Sequence, residues 1–129
     1  MKHLPIAITE LDVDTTDEDL QADYLRDHMI ACFSHPSVNE IIMWGFWEGR
    51  HWKPVAAPYR KDWSRKPAAV AWEDLVFRQW WTDTTVRTDA AGHATLRGFV
   101  GDYEIMTPGA TMIAKLPATG AAVELRTRR

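Results

Sequence analysis

LPIAITELDVD, residues 4–14, reads as a β-strand that enters on a proline and leaves on acidic side chains. Leu4, Ile6, Ile8, Leu11 and Val13 are apolar or β-prone, and Pro5 stands at the entry, where a missing N–H costs little. Side chains alternate along a strand, so Ile8, Glu10 and Asp12 are expected on one face and Thr9, Leu11 and Val13 on the other. Two carboxylates then meet at the C-terminal end of a strand, where barrel and open-sheet α/β proteins hold their reacting groups. Capping of the strand, or pairing with a basic residue, would explain the same two residues without any chemistry.

Working outward, Thr16 offers an N-cap hydroxyl, and Asp17, Glu18 and Asp19 place negative charge in the first turn of a helix. That helix is expected to run to about Phe33, with Leu20, Tyr24, Leu25, Met29, Cys32 and Phe33 along one face. SHPS at 34–37 stops it. VNEIIMWGFW, residues 38–47, is almost continuously apolar, which suits a parallel strand covered on both faces. EGRHWKPVAAPYRKDWSR, residues 48–65, is a loop long enough and rich enough in tryptophan to suggest function. Pro67 opens a second helix, PAAVAWEDLVFRQWW, with Trp72, Leu75, Val76, Gln79 and Trp80 on its stripe. This order predicts a parallel βαβα unit. From Thr82 the chain turns rich in Thr, Val and Gly. Turn signals at Asp89–Gly92, Gly101–Asp102, Pro108–Gly109 and Thr119–Gly120 predict a small antiparallel β unit of four or five strands, with the boundary between residues 81 and 82.

Composition narrows the function classes. A chain of 129 residues has the length of one ordinary domain, and its net charge of −3 argues against a nucleic-acid partner. Arg126, Arg128 and Arg129 form the only basic cluster, a terminal tail best read as solvated. The single cysteine, Cys32, excludes an intrachain disulfide and a multi-cysteine metal site, and is expected to pack as a small apolar residue. His3, His28, His35 and His93 lack ligand spacing, so no metal or other cofactor is expected. No apolar run approaches the ~20 residues of a membrane span, and residues 1–10 lack the pattern of a secretory signal. All seven tryptophans fall between positions 44 and 81, which means either an aromatic core or a surface that stacks flat ligands.

Three of these segments resemble glycoside hydrolase family 10, the xylanase family. LPIAITELDVD is similar to its seventh-strand nucleophile motif, FSHPSVNEIIMWGFWEGRHWKP to its helix seven, strand eight and following loop, and KPAAVAWEDLV to its eighth helix. They occur in order across residues 4–80, and RGFVGDYEI resembles a β appendage that some members carry after the barrel. The resemblance implies an α/β fold: residues 1–81 as the C-terminal portion, the last two βα units, of a (β/α)8 TIM barrel, and residues 82–129 as a small antiparallel β unit. It implies a retaining endo-1,4-β-xylanase acting on xylan or a xylo-oligosaccharide. Glu10 is then the nucleophile, and Asp12 orients it through a network with a strand-six histidine. Trp44 and Trp52 wall the subsite of the sugar under attack. Trp47 could contact sugar or pack, and Arg50, His51 and Lys53 could hydrogen-bond sugar hydroxyls or simply be solvated. Trp72, Trp80 and Trp81, at helical spacing, are expected to pack.

A closed barrel needs eight strands and about 250 residues, and this chain supplies two such strands. The family's acid/base glutamate belongs to strand four and its network histidine to strand six, both expected upstream of Met1. Glu48 is the other carboxylate near the mouth of strand eight, beside the nucleophile strand. The chain alone is therefore expected to be inactive. It is also expected to be marginally stable, seeking a missing N-terminal barrel portion or a second copy through exposed strand edges. Secretion or a periplasmic location is what the family implies for the parent. The alternatives are a non-catalytic carbohydrate-binding module, or a barrel glycosidase acting on β-glucan or mannan.

Overall fold

The computed structural model describes residues 4–126; Met1, His3, Arg128 and Arg129, which entered the readings above, lie outside the described residues. The chain forms two compact units, divided between Gln79 and Trp80.

In the first unit, β1 (Ile6–Leu11) pairs in parallel with β2 (Val38–Met43), and α1 (Glu18–Ser34) connects them. The register slips twice. Ile6 faces Val38 and Ala7 faces Glu40, so β2 carries an extra residue; Ile8 faces Ile41 and Leu11 faces Met43, so β1 carries one between Ile8 and Leu11. Such a bulge re-aims the side chains around it. Leu11 is buried and Glu10 exposed, while Asp12 is half-buried beyond the strand end. β2 stops at Met43 rather than Trp47 and is only half-buried. The Trp44 N–H still donates to the Leu11 carbonyl at 3.1 Å, but β1 offers no pairing beyond that.

α1 starts from Asp17, not Thr16. The Asp17 carboxylate accepts the Leu20 N–H at 3.0 Å, and the Thr15 hydroxyl accepts the Asp17 N–H at 3.2 Å. A carboxylate is the stronger cap because it also meets the helix dipole. The buried face is Gln21, Leu25 and Met29, whereas Leu20, Tyr24 and Phe33 of the expected stripe are exposed. Cys32 is half-buried, its Sγ 3.5 Å from His28 Nε2. α1 packs against α2 (Pro67–Asp74), where the buried Ala68 and Ala69 leave no side-chain bulk between the elements. α2 does not continue to Trp81 as a regular helix. It widens into a π-type turn over Leu75–Gln79, and Trp81, expected to pack, is exposed.

Between β2 and α2 the long loop holds a 3-10 turn, Pro54–Ala56, whose Val55 carbonyl is the meeting point of the unit. The fully buried Gln21 amide donates from α1 to both the Val13 and Val55 carbonyls, each at 2.9 Å. Lys66, the residue before α2, donates its ammonium to the same Val55 carbonyl at 3.0 Å and pairs with Glu48 at 2.9 Å.

In the second unit, β3 (Gly101–Thr107) and β4 (Ala110–Leu116) form an antiparallel hairpin closed at Pro108–Gly109, with Gly109 at φ 137°. Asp89 caps its own turn by accepting the N–H groups of Ala91 at 2.9 Å and His93 at 2.8 Å. Two strands form among the described residues, not four or five. The Thr- and Val-rich flanks have strand-prone composition, but that composition makes a strand only where a partner surface receives it.

Gln21→Leu keeps the side-chain size and removes both amide bonds, leaving the Val13 carbonyl with the Thr15 N–H alone and the Val55 carbonyl with Lys66 alone. Urea unfolding followed by tryptophan fluorescence should show a loss of about 1–3 kcal/mol. Gln21→Glu, which sets a carboxylate against two carbonyls, should lose more. An unchanged midpoint for both variants would show that this amide does not hold the unit together.

Candidate functional site

The site is built where the loop after β2 folds over the end of β1. Asp12 Oδ2 accepts the indole N–H of Trp52 at 3.0 Å, tying residues forty positions apart. Its Oδ1 lies 3.3 Å from Nε2 of His51, whose side chain is fully buried. His51 Nδ1 accepts the Lys53 N–H at 3.0 Å, which leaves Nε2 as the nitrogen turned to Asp12. The approach to Asp12 is close but misaligned, and neither buried atom has a hydrogen-bond partner among the described residues. Gly45 makes room for this ring, since a Cβ there would stand 2.6 Å from His51 Cδ2.

Trp44, Phe46, Trp47, Arg50, His51, Trp52 and Trp63, with Gly45, line a cleft of about 510 Å³. The structure therefore brings the expected Trp44, Trp47, Trp52 and Arg50 to one place, with Asp12 bonded to its rim. Glu10 is not among the lining residues. Its exposed carboxylate makes no hydrogen bond or ion pair among the described residues. Lys53 is engaged, paired with Asp14 at 2.5 Å and standing 4.8 Å over the Trp52 ring. His51, read from the sequence as a sugar hydrogen-bonder or a solvated side chain, is instead buried, and Trp63 was not singled out because it lies between Asp62 and Ser64 like any turn residue.

Glu48 is fixed elsewhere. Lys66 holds its Oε1, and the Lys61 N–H donates to Oε2 at 3.2 Å. The hydrogen bond from Lys66 holds its pKa below the usual glutamate range, against the opposing effect of burial. A proton donor for a leaving sugar oxygen needs the reverse shift. Behind the cleft, the Tyr59 hydroxyl donates to Glu73 at 2.6 Å, and Arg65 pairs with the other Glu73 oxygen at 2.9 Å. Burial, followed by the bond to Glu73, pushes Tyr59 up to about 12. Glu73 is lowered by the same phenol and then by Arg65. Trp72, expected to pack, lies edge-on to Phe77 with ring centroids 5.3 Å apart. Among the described residues, no group of three or more His, Cys, Asp and Glu could hold a metal ion, and no helix is long and apolar enough to cross a membrane.

These shifts fix the pH window of the loop. Tyr59 titrates above its free value of ~10, so its contribution is complete below that pH and is lost as pH rises toward 12. Glu48 and Glu73 titrate below the free value of ~4.3, so theirs is complete above it and is lost as pH falls through their lowered values. Alkaline difference spectroscopy should show one of the three phenols ionising near pH 12, and Glu73→Gln should bring it down. In a stability–pH profile, Tyr59→Phe should flatten the alkaline limb and Glu48→Gln the acid limb.

The sequence profile of Glycosyl hydrolase family 10 matches residues 1–74. Similar proteins include Anti-sigma-I factor RsgI6 of Acetivibrio thermocellus, 43% identical over 104 residues that make up 80% of this chain and 14% of that protein. Endo-1,4-beta-xylanase 1 of Arabidopsis thaliana is 31% identical over 120 residues, 87% of this chain and 12% of its own length. Endo-1,4-beta-xylanase B of Cellvibrio japonicus is 30% identical over 64 residues, 50% of this chain and 11% of its own. The chain thus spans a small fraction of each relative. Because the family match runs unbroken from β1 through the tryptophan loop to the last residue of α2, the chain belongs to glycosyl hydrolase family 10.

Proposed function

We propose that this chain carries the nucleophile half of a retaining glycosidase site that cleaves β-1,4-xylosidic bonds in xylan. The supporting observation is the bond from Trp52 to Asp12, which ties the aromatic cleft to the end of β1 two residues past Glu10. In this reading a Glu10 oxygen attacks the anomeric carbon and forms a glycosyl ester. The departing sugar oxygen takes a proton from a second carboxyl group, and water then cleaves the ester with that group as base. Asp12 positions the strand end, and Trp44 and Trp52, with Trp47 and Arg50 beside them, hold the sugar. A pyranose presents an apolar C–H face that an indole covers while excluding water. Glu48, held by Lys66 and shifted downward, is unsuited to donate that proton, so turnover of xylan by the 129-residue chain should be negligible.

A leaving group that needs no proton separates the two halves of this chemistry. Incubation with a dinitrophenyl 2-deoxy-2-fluoro-xylobioside should add one xylobiosyl mass at Glu10, with none added in Glu10→Ala, while reducing-sugar release from xylan stays at background. Robust Glu10-dependent hydrolysis of xylan would contradict the division of labour. The absence of Glu10 from the cleft lining favours a second reading, a sugar-binding module. Retention on a xylan affinity gel that survives Glu10→Ala and fails in Trp52→Ala, with no labelling of Glu10, would select it.

We further propose that residues 4–81 are the last two βα units of a (β/α)8 barrel and that residues 82–129 are its appendage. The parallel β1–β2 pair, joined by α1 and followed by α2, supports this. Each strand of that pair has one edge without a strand partner among the described residues, and Leu20 and Tyr24 expose their side chains on α1. Such edges recruit other chains. The isolated protein should elute from gel filtration as concentration-dependent oligomers; a sharp monomer peak with a cooperative melt would contradict self-association.

A further inference from the structure

The outer wall of the cleft holds an aromatic pair that the proposed nucleophile chemistry does not use. Trp47 and Trp63 stack with ring centroids 5.1 Å apart and planes within 8°, and Trp63 is 57% exposed. Trp63 sits at φ 66°, a left-handed conformation that a bulky side chain adopts only when its surroundings impose it. Those surroundings are built for the purpose. The Trp63 N–H donates to Arg60 O at 2.9 Å, the Arg60 N–H to Ser64 O at 2.9 Å, and the Ser64 N–H to Asp62 Oδ1 at 2.9 Å. Trp47 is fixed in turn by its indole N–H on Lys61 O at 3.2 Å, and its benzo ring lies so close to Gly49 that a Cβ there would stand 2.2 Å away. A strained backbone that holds an indole out in water, braced flat on a second ring, is the arrangement of a stacking platform.

We propose that Trp63, braced by Trp47, is a second sugar platform, which stacks a further pyranose ring of the same β-1,4-linked chain whose neighbouring ring lies between Trp44 and Trp52. This rests on the reading of the cleft as a xylan site and deepens it. Trp63 lines the same cleft as those two tryptophans, with Arg50 as a hydrogen-bond donor for sugar hydroxyls. A linear polysaccharide, unlike a monosaccharide, can occupy both ends. Trp63 therefore sets how many sugar units the protein reads.

The experiment is a titration of the 129-residue chain with xylose and with xylobiose through xylohexaose, followed by tryptophan fluorescence and calorimetry. Affinity should rise with chain length in the wild type. Trp63→Asn, whose side chain tolerates the left-handed backbone, should lose roughly five- to tenfold for xylobiose and longer oligosaccharides and leave xylose unchanged. Trp63→Phe should recover most of that loss, which distinguishes stacking from folding. Trp52→Ala should weaken all lengths alike. Trp63→Asn and Trp63→Phe that bind every length as the wild type does, while Trp52→Ala fails, would overturn the platform and leave the xylan reading standing. No binding of any length by the wild type would overturn both.

Discussion

The Val55 carbonyl is the point on which the first unit turns. It accepts the Gln21 amide from α1 and the Lys66 ammonium from the residue before α2, and Lys66 in turn holds Glu48. A connection of this length, without such anchors, would keep much of its chain entropy and could not hold aromatic rings at fixed positions. A carbonyl oxygen has two lone pairs, and here two different elements fill them. The loop is thereby pinned in its middle, and its two arms reach different partners, the Trp44–Trp52 arm Asp12 and the Tyr59–Arg65 arm Glu73, while Trp47 and Trp63 stack to join them.

The charges follow the same plan. The carboxylates of the loop face, Glu48 and Glu73, are lowered by partners that lock them in place, whereas Glu10 is left exposed and unengaged. A group committed to a structural ion pair cannot also exchange protons with a substrate, so the pairing sorts scaffold carboxylates from the candidate nucleophile. Asp12 stands between the two classes, with one oxygen bonded to Trp52 and the other set beside the buried His51 imidazole.

Element order was legible because it rests on punctuation and periodicity. Pro67 does open α2, SHPS does end α1 at Ser34, and Pro108–Gly109 does close a hairpin. The tryptophan-rich loop could be seen to gather a site, since so many large rings in one connection cannot all be buried. The rest depended on geometry that a linear pattern does not carry. Gln21 reads as a solvated helix residue until two distant carbonyls converge on it. His51 reads as solvated until Gly45 clears a place for its ring. The slip between Ile8 and Leu11 shifts the register of β1 against β2 and leaves no mark in its composition. The strand count in the second unit was overestimated because turn signals mark where a chain reverses, not whether the reversed segments find each other.

The wide turn at Leu75–Gln79 has a consequence of its own. A π-type turn accommodates one residue more than a regular helix, and one residue corresponds to about 100° of helical rotation. Removing a single residue there would restore the ordinary repeat and swing every later side chain to a different azimuth. The family match stops at residue 74, the last residue of regular helix before this turn.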